Sequence, residues 1–171
     1  EAIINSRRRK MARVGYGYDV HRLCTERPLV LGGIEVPFEK GLDGHSDADV
    51  LTHALMDAIL GAAALGDIGG MFPDKDPQYK GISSLELLRR VYVKISELGF
   101  KVWNIDCTIV AQAPILAPHI PAMKEKYMEI LHIPADRVNI KATTEERLGF
   151  TGSGEGMAAH AVALLLEPGD R

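Results

Sequence analysis

At 171 residues the chain suits one domain with a proper core, and 46% apolar and 25% charged residues are ordinary for a globular protein. A formal net charge of −3 argues against a nucleic-acid surface. Cys24 and Cys107 make neither a disulfide framework nor a Cys-x-x-Cys pair, and no apolar run reaches membrane-span length, so a disulfide-stapled secreted scaffold and a spanning protein are both excluded.

The expectation from these bounds is an intracellular protein without a nucleic-acid or membrane partner. Residues 1–11 contain Arg7-Arg8-Arg9-Lys10 and no apolar periodicity. This segment reads as a disordered tag or processing remnant, with a basic nucleic-acid-binding arm as the alternative. The fold is expected in residues 12–171.

Arg13 to His21 alternates Val14, Tyr16, Tyr18 and Val20 with Gly15, Gly17, Asp19 and His21. That is a strand with one apolar face and a second face carrying two glycines, an Asp and a His. Glycines weaken a strand, so another backbone is expected to approach closely there. Leu29 to Pro37 reads as a hairpin around Gly32-Gly33. Ser46 is placed to cap a helix carrying the apolar stripe Leu51, Ala54, Leu55, Ala58, Ile59 and Ala62, which ends at Gly66 to Gly70. Met71 to Pro77 is a proline-bounded acidic loop.

Ser83 opens a second helix with Leu85, Leu88, Val91, Tyr92, Ile95 and Leu98 buried, and Gly99 stops it. Val102 to Ala111 is a strand, Ile120 to Leu131 a third helix, and Val138 to Thr143 a strand. Met157 to Leu166 is a final strand, expected to be buried on both faces because it is nearly all Ala, Val and Leu. The order β, hairpin, α, α, β, α, β, β predicts an α+β fold, a mixed sheet with helices on one face in a ferredoxin-like sandwich.

The densest polar cluster joins two places. Asp19 and His21 project from one face of the first strand. Asp49, His53 and Asp57 share one face of the first helix. A strand edge meeting that face offers one carboxylate and two imidazoles with an open fourth position, the pattern of a catalytic zinc site. The plain alternative is polar residues at element ends.

Three other places can carry chemistry. The strand ends at Asp19/His21, at Ala111-Gln112-Ala113-Pro114 and at Thr143-Thr144 can bind phosphate or a base edge, or be plain turns. Thr143-Thr144-Glu145-Glu146 can hold a hard cation with phosphate oxygens; alternatively Thr144 caps a short helix. Thr151 to Gly156 is glycine-rich but lacks the lysine of a nucleotide loop.

The runs Gly17-Tyr18-Asp19-Val20-His21, Leu42-Asp43-Gly44-His45-Ser46-Asp47-Ala48-Asp49-Val50 and Gly66-Asp67-Ile68-Gly69 resemble the 2-C-methyl-D-erythritol 2,4-cyclodiphosphate synthase family. So do Phe72-Pro73-Asp74, Ala111-Gln112-Ala113-Pro114, Lys141-Ala142-Thr143-Thr144 and Gly149-Phe150-Thr151-Gly152, in the same order along nearly the whole chain.

The resemblance implies a lyase of the non-mevalonate isoprenoid pathway, in the bacterial cytoplasm or the plastid stroma. It would cyclise 4-diphosphocytidyl-2-C-methyl-D-erythritol 2-phosphate and release CMP. It also implies Zn²⁺ on Asp19, His21 and His53, and Mg²⁺ or Mn²⁺ on Glu146 with the substrate diphosphate. His45 and Thr144 would stabilise the transition state. His45 and Ser46 would contact the methylerythritol phosphate end, and Asp67 and Gly69, with Ile68 between them, would hold the sugar-alcohol hydroxyls. Ala111, Gln112, Ala113, Pro114, Ile115, Leu116, Ala117 and Thr143 would form the cytidine pocket. Phe72, Pro73, Asp74, Lys75, Asp76, Glu145 and Phe150 complete the implied substrate contacts. The implied assembly is a homotrimer with active sites between subunits.

Two positions depart from the family pattern. Ile115 stands where many members carry a basic residue. Ser153 stands where several carry an arginine that pairs with an isoprenoid diphosphate in the trimer's central cavity, although Phe150 and Glu155 remain. Two other readings compete with the synthase: a zinc hydrolase, which lacks an obvious general-base motif here, and a non-catalytic trimeric module binding metal or isoprenoid diphosphate.

Overall fold

A computed structural model describes residues 11–73 and 76–168. The expected tag at residues 1–11 thus lies almost wholly outside the described residues, as do Asp74 and Lys75.

The chain begins with β1 (Ala12–Cys24), the hairpin β2 (Leu29–Leu31) and β3 (Ile34–Val36), and the short β4 (Gly41–Leu42). Then come α1 (Val50–Ala62), the single turn α2 (Ile68–Met71), α3 (Ser84–Glu97) and β5 (Lys101–Val110). The last elements are α4 (Ile120–Leu131), β6 (Val138–Thr143), the single turn α5 (Gly149–Gly152) and β7 (Gly156–Leu166). Five strands form one sheet in the order β4-β1-β7-β5-β6. β7 is antiparallel to both β1 and β5, while β5 and β6 run parallel, so β1, β5 and β6 all end at the same edge. The expected mixed sheet with helices on one face is what forms.

The glycines of β1 set the spacing between the layers. A Cβ on Gly15 would stand 1.8 Å from the Ala58 carbonyl oxygen, and one on Gly17 1.9 Å from that of Ala54. Small residues on both elements let α1 lie directly on β1. Because side chains alternate along a strand, Asp19 and His21 also face the helix. The opposite face holds Val14, 68% exposed, Tyr16, Tyr18 and Val20, all of them open in the single chain. The apolar face of β1 is therefore not the core face.

β7 corrects another expectation. Met157, Ala159, Ala161, Ala163 and Leu165 are buried under the helices, but Val162, on the other face, is 41% exposed. An apolar run predicts burial on both sides, and on the second face of this run only the small Ala158 is buried while Leu164 and Leu166 are half-buried.

α1 starts later than expected. Its N-cap is Asp49, not Ser46. The fully buried Asp49 carboxylate accepts from Thr52 N (3.1 Å) and Thr52 Oγ1 (2.6 Å), and from Gly32 N (2.9 Å) and Gly33 N (2.7 Å) of the hairpin turn. A buried carboxylate demands several donors, and the turn supplies two that no local capping pattern contains. α1 is also buried almost all round, beyond the predicted stripe. In α3 the stripe holds at Leu85, Leu88, Val91 and Ile95, while Tyr92 is half-buried and Leu98 is 38% exposed; Leu87, outside the stripe, is buried.

Candidate active site

Where β1 meets α1, three side chains converge. Asp19 Oδ2 lies 3.0 Å from His21 Nε2 and 3.0 Å from His53 Nδ1, and the two imidazole nitrogens are 3.1 Å apart. Donor atoms around a tetrahedral zinc stand about 3.3 Å apart, so this triangle needs only a small expansion to admit one.

The far sides of both rings strengthen that fit. His21 Nδ1 lies 2.6 Å from the Asp43 carbonyl oxygen, which can only accept, so Nδ1 carries the proton. His53 Nε2 lies 2.9 Å from Ser84 Oγ, whose own proton goes to Asp47 Oδ1. His53 Nε2 is therefore the donor. Neutral imidazole has one N–H, so each ring turns a bare lone pair towards a carboxylate oxygen. Three acceptors facing one point require a cation or a shared proton.

Without a metal, a proton serves. Burial opposes a charged His21, but its hydrogen bond to Asp19 and that residue's charge outweigh burial and raise its pKa. Burial likewise works against the Asp19 carboxylate, yet the hydrogen bonds and charges of His21 and His53 hold it well below the usual range.

The triad forms one wall of a cavity of about 250 Å³, and the others include His45, Ser46, Ile68, Gly69, Phe72, Tyr79 and Leu87. Arg27 fixes the loop that supplies two of these, donating to the carbonyl oxygens of Gly44 and Ser46, each at 2.5 Å. The lining contains no lysine or arginine among the described residues. The shared helix face of Asp49, His53 and Asp57 does not converge: Asp49 holds the hairpin, and Asp57 Oδ1 accepts from Ile68 N at 2.8 Å. Asp67 caps α2, accepting from Gly70 N at 2.8 Å, beside the cavity rather than in its wall. Asp76 caps the turn at Pro77–Tyr79, and Pro73 is exposed.

A second group collects at the ends of β5 and β6. Ala111 N donates to Thr143 O at 3.0 Å, and Gln112 Oε1 accepts from Arg147 N at 3.0 Å. Thr144 Oγ1 donates to Glu146 Oε1 at 3.2 Å and accepts from Glu146 N at 3.3 Å. Glu145 instead turns to Thr151. Ala113, Ile115, Ala117, Thr143 to Glu146 and Phe150 are exposed, whereas Leu116 is buried. Thr144 does not cap a helix: α5 starts at Gly149 with Leu148 before it, and a left-handed pair, Glu146 (φ 52°) and Arg147 (φ 67°), intervenes. Two strands, β7 and β5, separate β1 from β6, which at about 4.8 Å per step puts β1 and β6 on the order of 14 Å apart across the sheet.

Residues 12–166 match the model of the YgbB family. The chain belongs to the YgbB family. A relative in Clostridium perfringens named 2-C-methyl-D-erythritol 2,4-cyclodiphosphate synthase is 57% identical over 155 residues, 91% of this chain and 99% of that one. The bifunctional IspDF of Campylobacter jejuni superposes with a TM-score of 0.89 at 45% identity; the match covers 93% of this chain and 43% of that longer chain. A 2C-methyl-D-erythritol-2,4-cyclodiphosphate synthase in a CDP-bound form superposes with a TM-score of 0.83 at 38% identity, over 90% of this chain and 99% of that one.

In this YgbB-family chain the groups missed by sequence reasoning are Asp47 and Ser84 behind His53, and Tyr79 and Leu87 in the cavity wall. Asp47 and Ser84 are 37 residues apart, so no local pattern links them. Neither cysteine belongs to the site: both are unpaired, and burial pushes the Cys107 thiol up to about 12, which leaves it inert.

Proposed function

We propose that this chain is a 2-C-methyl-D-erythritol 2,4-cyclodiphosphate synthase, a lyase of isoprenoid precursor biosynthesis. The observation that carries the reading is the Asp19, His21 and His53 triangle, its lone pairs aimed at one point in the wall of a cavity built from the family's substrate-loop positions. Relatives solved with CDP support a cytidine diphosphate substrate.

In this reaction the substrate's 2-phosphate oxygen bonds to the β-phosphorus, the P–O bond to CMP breaks, and CMP leaves with that electron pair. The substrate is its own nucleophile, so the chain must fold it and offset its charge. Orientation of this kind is worth about 7–11 kcal/mol in favourable systems. His45 and Ser46 would contact the methylerythritol phosphate end, and Asp67 and Gly69, with Ile68 between them, would hold the sugar-alcohol hydroxyls. Phe72, Pro73, Asp74, Lys75 and Asp76 would border them. Ala111 to Ala117 and Thr143 would read the cytidine, and Thr144 with His45 would stabilise the transition state.

Asp19, His21 and His53 would hold Zn²⁺, and Glu146 would hold Mg²⁺ or Mn²⁺; both ions would supply Lewis-acid charge for the diphosphate. The absence of lysine and arginine from the described cavity lining supports that need. The left-handed pair Glu146 and Arg147 supports a loop shaped for a task, since such strain persists where surroundings impose it.

The assembly would be a homotrimer of ferredoxin-like domains spanning residues 12–171. Two features support it. The metal half and the Glu146 half stand two strands apart within one chain, and the Val14, Tyr16, Tyr18, Val20 and Val162 face is apolar but uncovered. Active sites between subunits would join the halves. No described helix is long and apolar enough to cross a membrane, and bacterial relatives support the bacterial cytoplasm over the plastid stroma.

Incubation with the cytidylylated substrate, Zn²⁺ and Mg²⁺ tests the reading. Equal release of CMP and cyclic diphosphate is expected. A linear product would identify a hydrolase, and no turnover a metal or isoprenoid-diphosphate module; either would overturn the synthase.

A further inference from the structure

The ring of His53 is held from behind by residues that never reach the cavity. Ser84, the first residue of α3, is fully buried. Its backbone N–H donates to Asp47 Oδ2 at 2.8 Å, and its hydroxyl donates to Asp47 Oδ1. A hydroxyl has one proton, and a carboxylate can only accept. Once the Ser84 proton is committed to Asp47, only lone pairs remain for His53 Nε2, 2.9 Å away. Ser46 Oγ, 3.2 Å from the same nitrogen, is the second partner on that side.

We propose that Asp47 and Ser84 are positioning residues for the metal, setting His53 in the tautomer whose Nδ1 lone pair faces Asp19 and His21. The proposal rests on the reading of that triad as a metal site. A carboxylate-hydroxyl-imidazole chain fixes the plane of a ligand ring and raises its basicity, and losing such partners typically weakens metal binding about 10- to 100-fold. Asp47 is suited because both of its oxygens accept: Oδ1 also takes Asp49 N at 3.2 Å. An amide at this position would set a donor against at least one of those three donors.

A purely structural role is the competing account. Ser83, at the N-cap of α3, makes no side-chain capping bond, and Asp47 supplies that cap from another segment. A carboxylate there also favours the helix dipole. The two roles separate experimentally, because Ser84→Ala deletes the hydroxyl but keeps the backbone N–H that Asp47 caps.

Zinc affinity is measured by competition with a chromophoric chelator, and the stability of the metal-free protein by thermal melting. Ser84→Ala is expected to weaken zinc binding about 10- to 100-fold, with a smaller fall in the metal-free melt than Asp47→Asn causes, because the backbone N–H that Asp47 caps is kept. Asp47→Asn should lower both. In the Ser84→Ala background it should lower the melt alone, because its effect on zinc passes through the hydroxyl. Unaltered zinc affinity in Ser84→Ala, or losses that simply add, would overturn the proposal.

A second measurement needs no variant. Two-bond ¹H–¹⁵N spectra at pH 8 should show the Nε2–H tautomer of His53 in metal-free and zinc-loaded protein, and the Nδ1–H tautomer would overturn the assignment. If the unaltered protein binds no zinc, the metal-site reading fails first and takes the proposal with it. Zinc binding that ignores Ser84 defeats the proposal alone.

Discussion

Gly17 and Ala54 lie so close that a methyl group on Gly17 would stand 1.9 Å from the Ala54 carbonyl oxygen. One helical turn beyond this contact sits the carbonyl of Ala58, against Gly15. The contacts set the distance at which α1 presents His53 to Asp19. The packing of two backbones and the geometry of the triad are thus one feature.

Gly17→Ala is therefore expected to damage stability and metal binding together. Overpacking usually costs about 1–3 kcal/mol, and a clash with backbone sits at the upper end. Urea unfolding should show a loss of about 3 kcal/mol, and zinc content should fall with it. A stable variant with full zinc would mean that the spacing is adjustable and the triad is not set by it.

The pH dependence has a definite sign. In the metal-free protein the lowered Asp19 pKa contributes stability above its usual 3.8, lost as pH falls through the lowered value. His21, raised above 6.5, contributes stability fully below 6.5, lost as pH rises through the raised value. The pair stabilises most between these limits. Zinc at the proposed site would have to displace the His21 proton, so its affinity is expected to rise with pH. The gain in melting temperature on adding zinc should grow from about pH 5 to about pH 8. A gain independent of pH would show that zinc binds elsewhere.

Val162 tests the open face. Val162→Asp places a charge opposite Tyr16 on one side and Asp106 on the other, on the face that the proposed trimer would bury. If the proposed trimer forms through this face, sedimentation is expected to change from trimer to monomer, and turnover to vanish because the Glu146 half would no longer meet a neighbour's triad. Zinc binding should survive, since all three ligands belong to one chain. A trimer that persists with the aspartate would place the subunit contact elsewhere.

Glu146→Gln removes one charge from an exposed loop and leaves Thr144 a carbonyl oxygen to donate to. Turnover at limiting Mg²⁺ is expected to fall on the order of 100-fold, with zinc content and melting temperature unchanged. Undiminished turnover across a Mg²⁺ titration would remove Glu146 from the second ion.

The elements of this protein could be read locally. The boundaries of α4 and β6 follow from the sequence to the residue, and the Gly32-Gly33 hairpin appears where its turn residues stand. Ser46 misled because a capping pattern is local, whereas the real cap, Asp49, is chosen by two hairpin N–H groups 16 and 17 residues away. Asp57 shares the helix face of His53, as the period implies, without joining the triad. A shared helix face spaces side chains by whole turns, about 6 Å for each four residues, so they line up without meeting.

By itself the sequence determined the alternation that puts Asp19 and His21 on one face with Gly15 and Gly17, and the helical position of His53. Both follow from periods of two and 3.6 residues, which need no knowledge of the rest of the chain. Tertiary structure decided that this face, and not the apolar one, meets the helices. It also decided which nitrogen of each imidazole is bare, because those protons are set by Asp43, Asp47 and Ser84, groups 22 to 37 residues away in the relevant contacts. Hydrogen bonds at that range depend on how whole elements pack, and a local pattern carries no record of them.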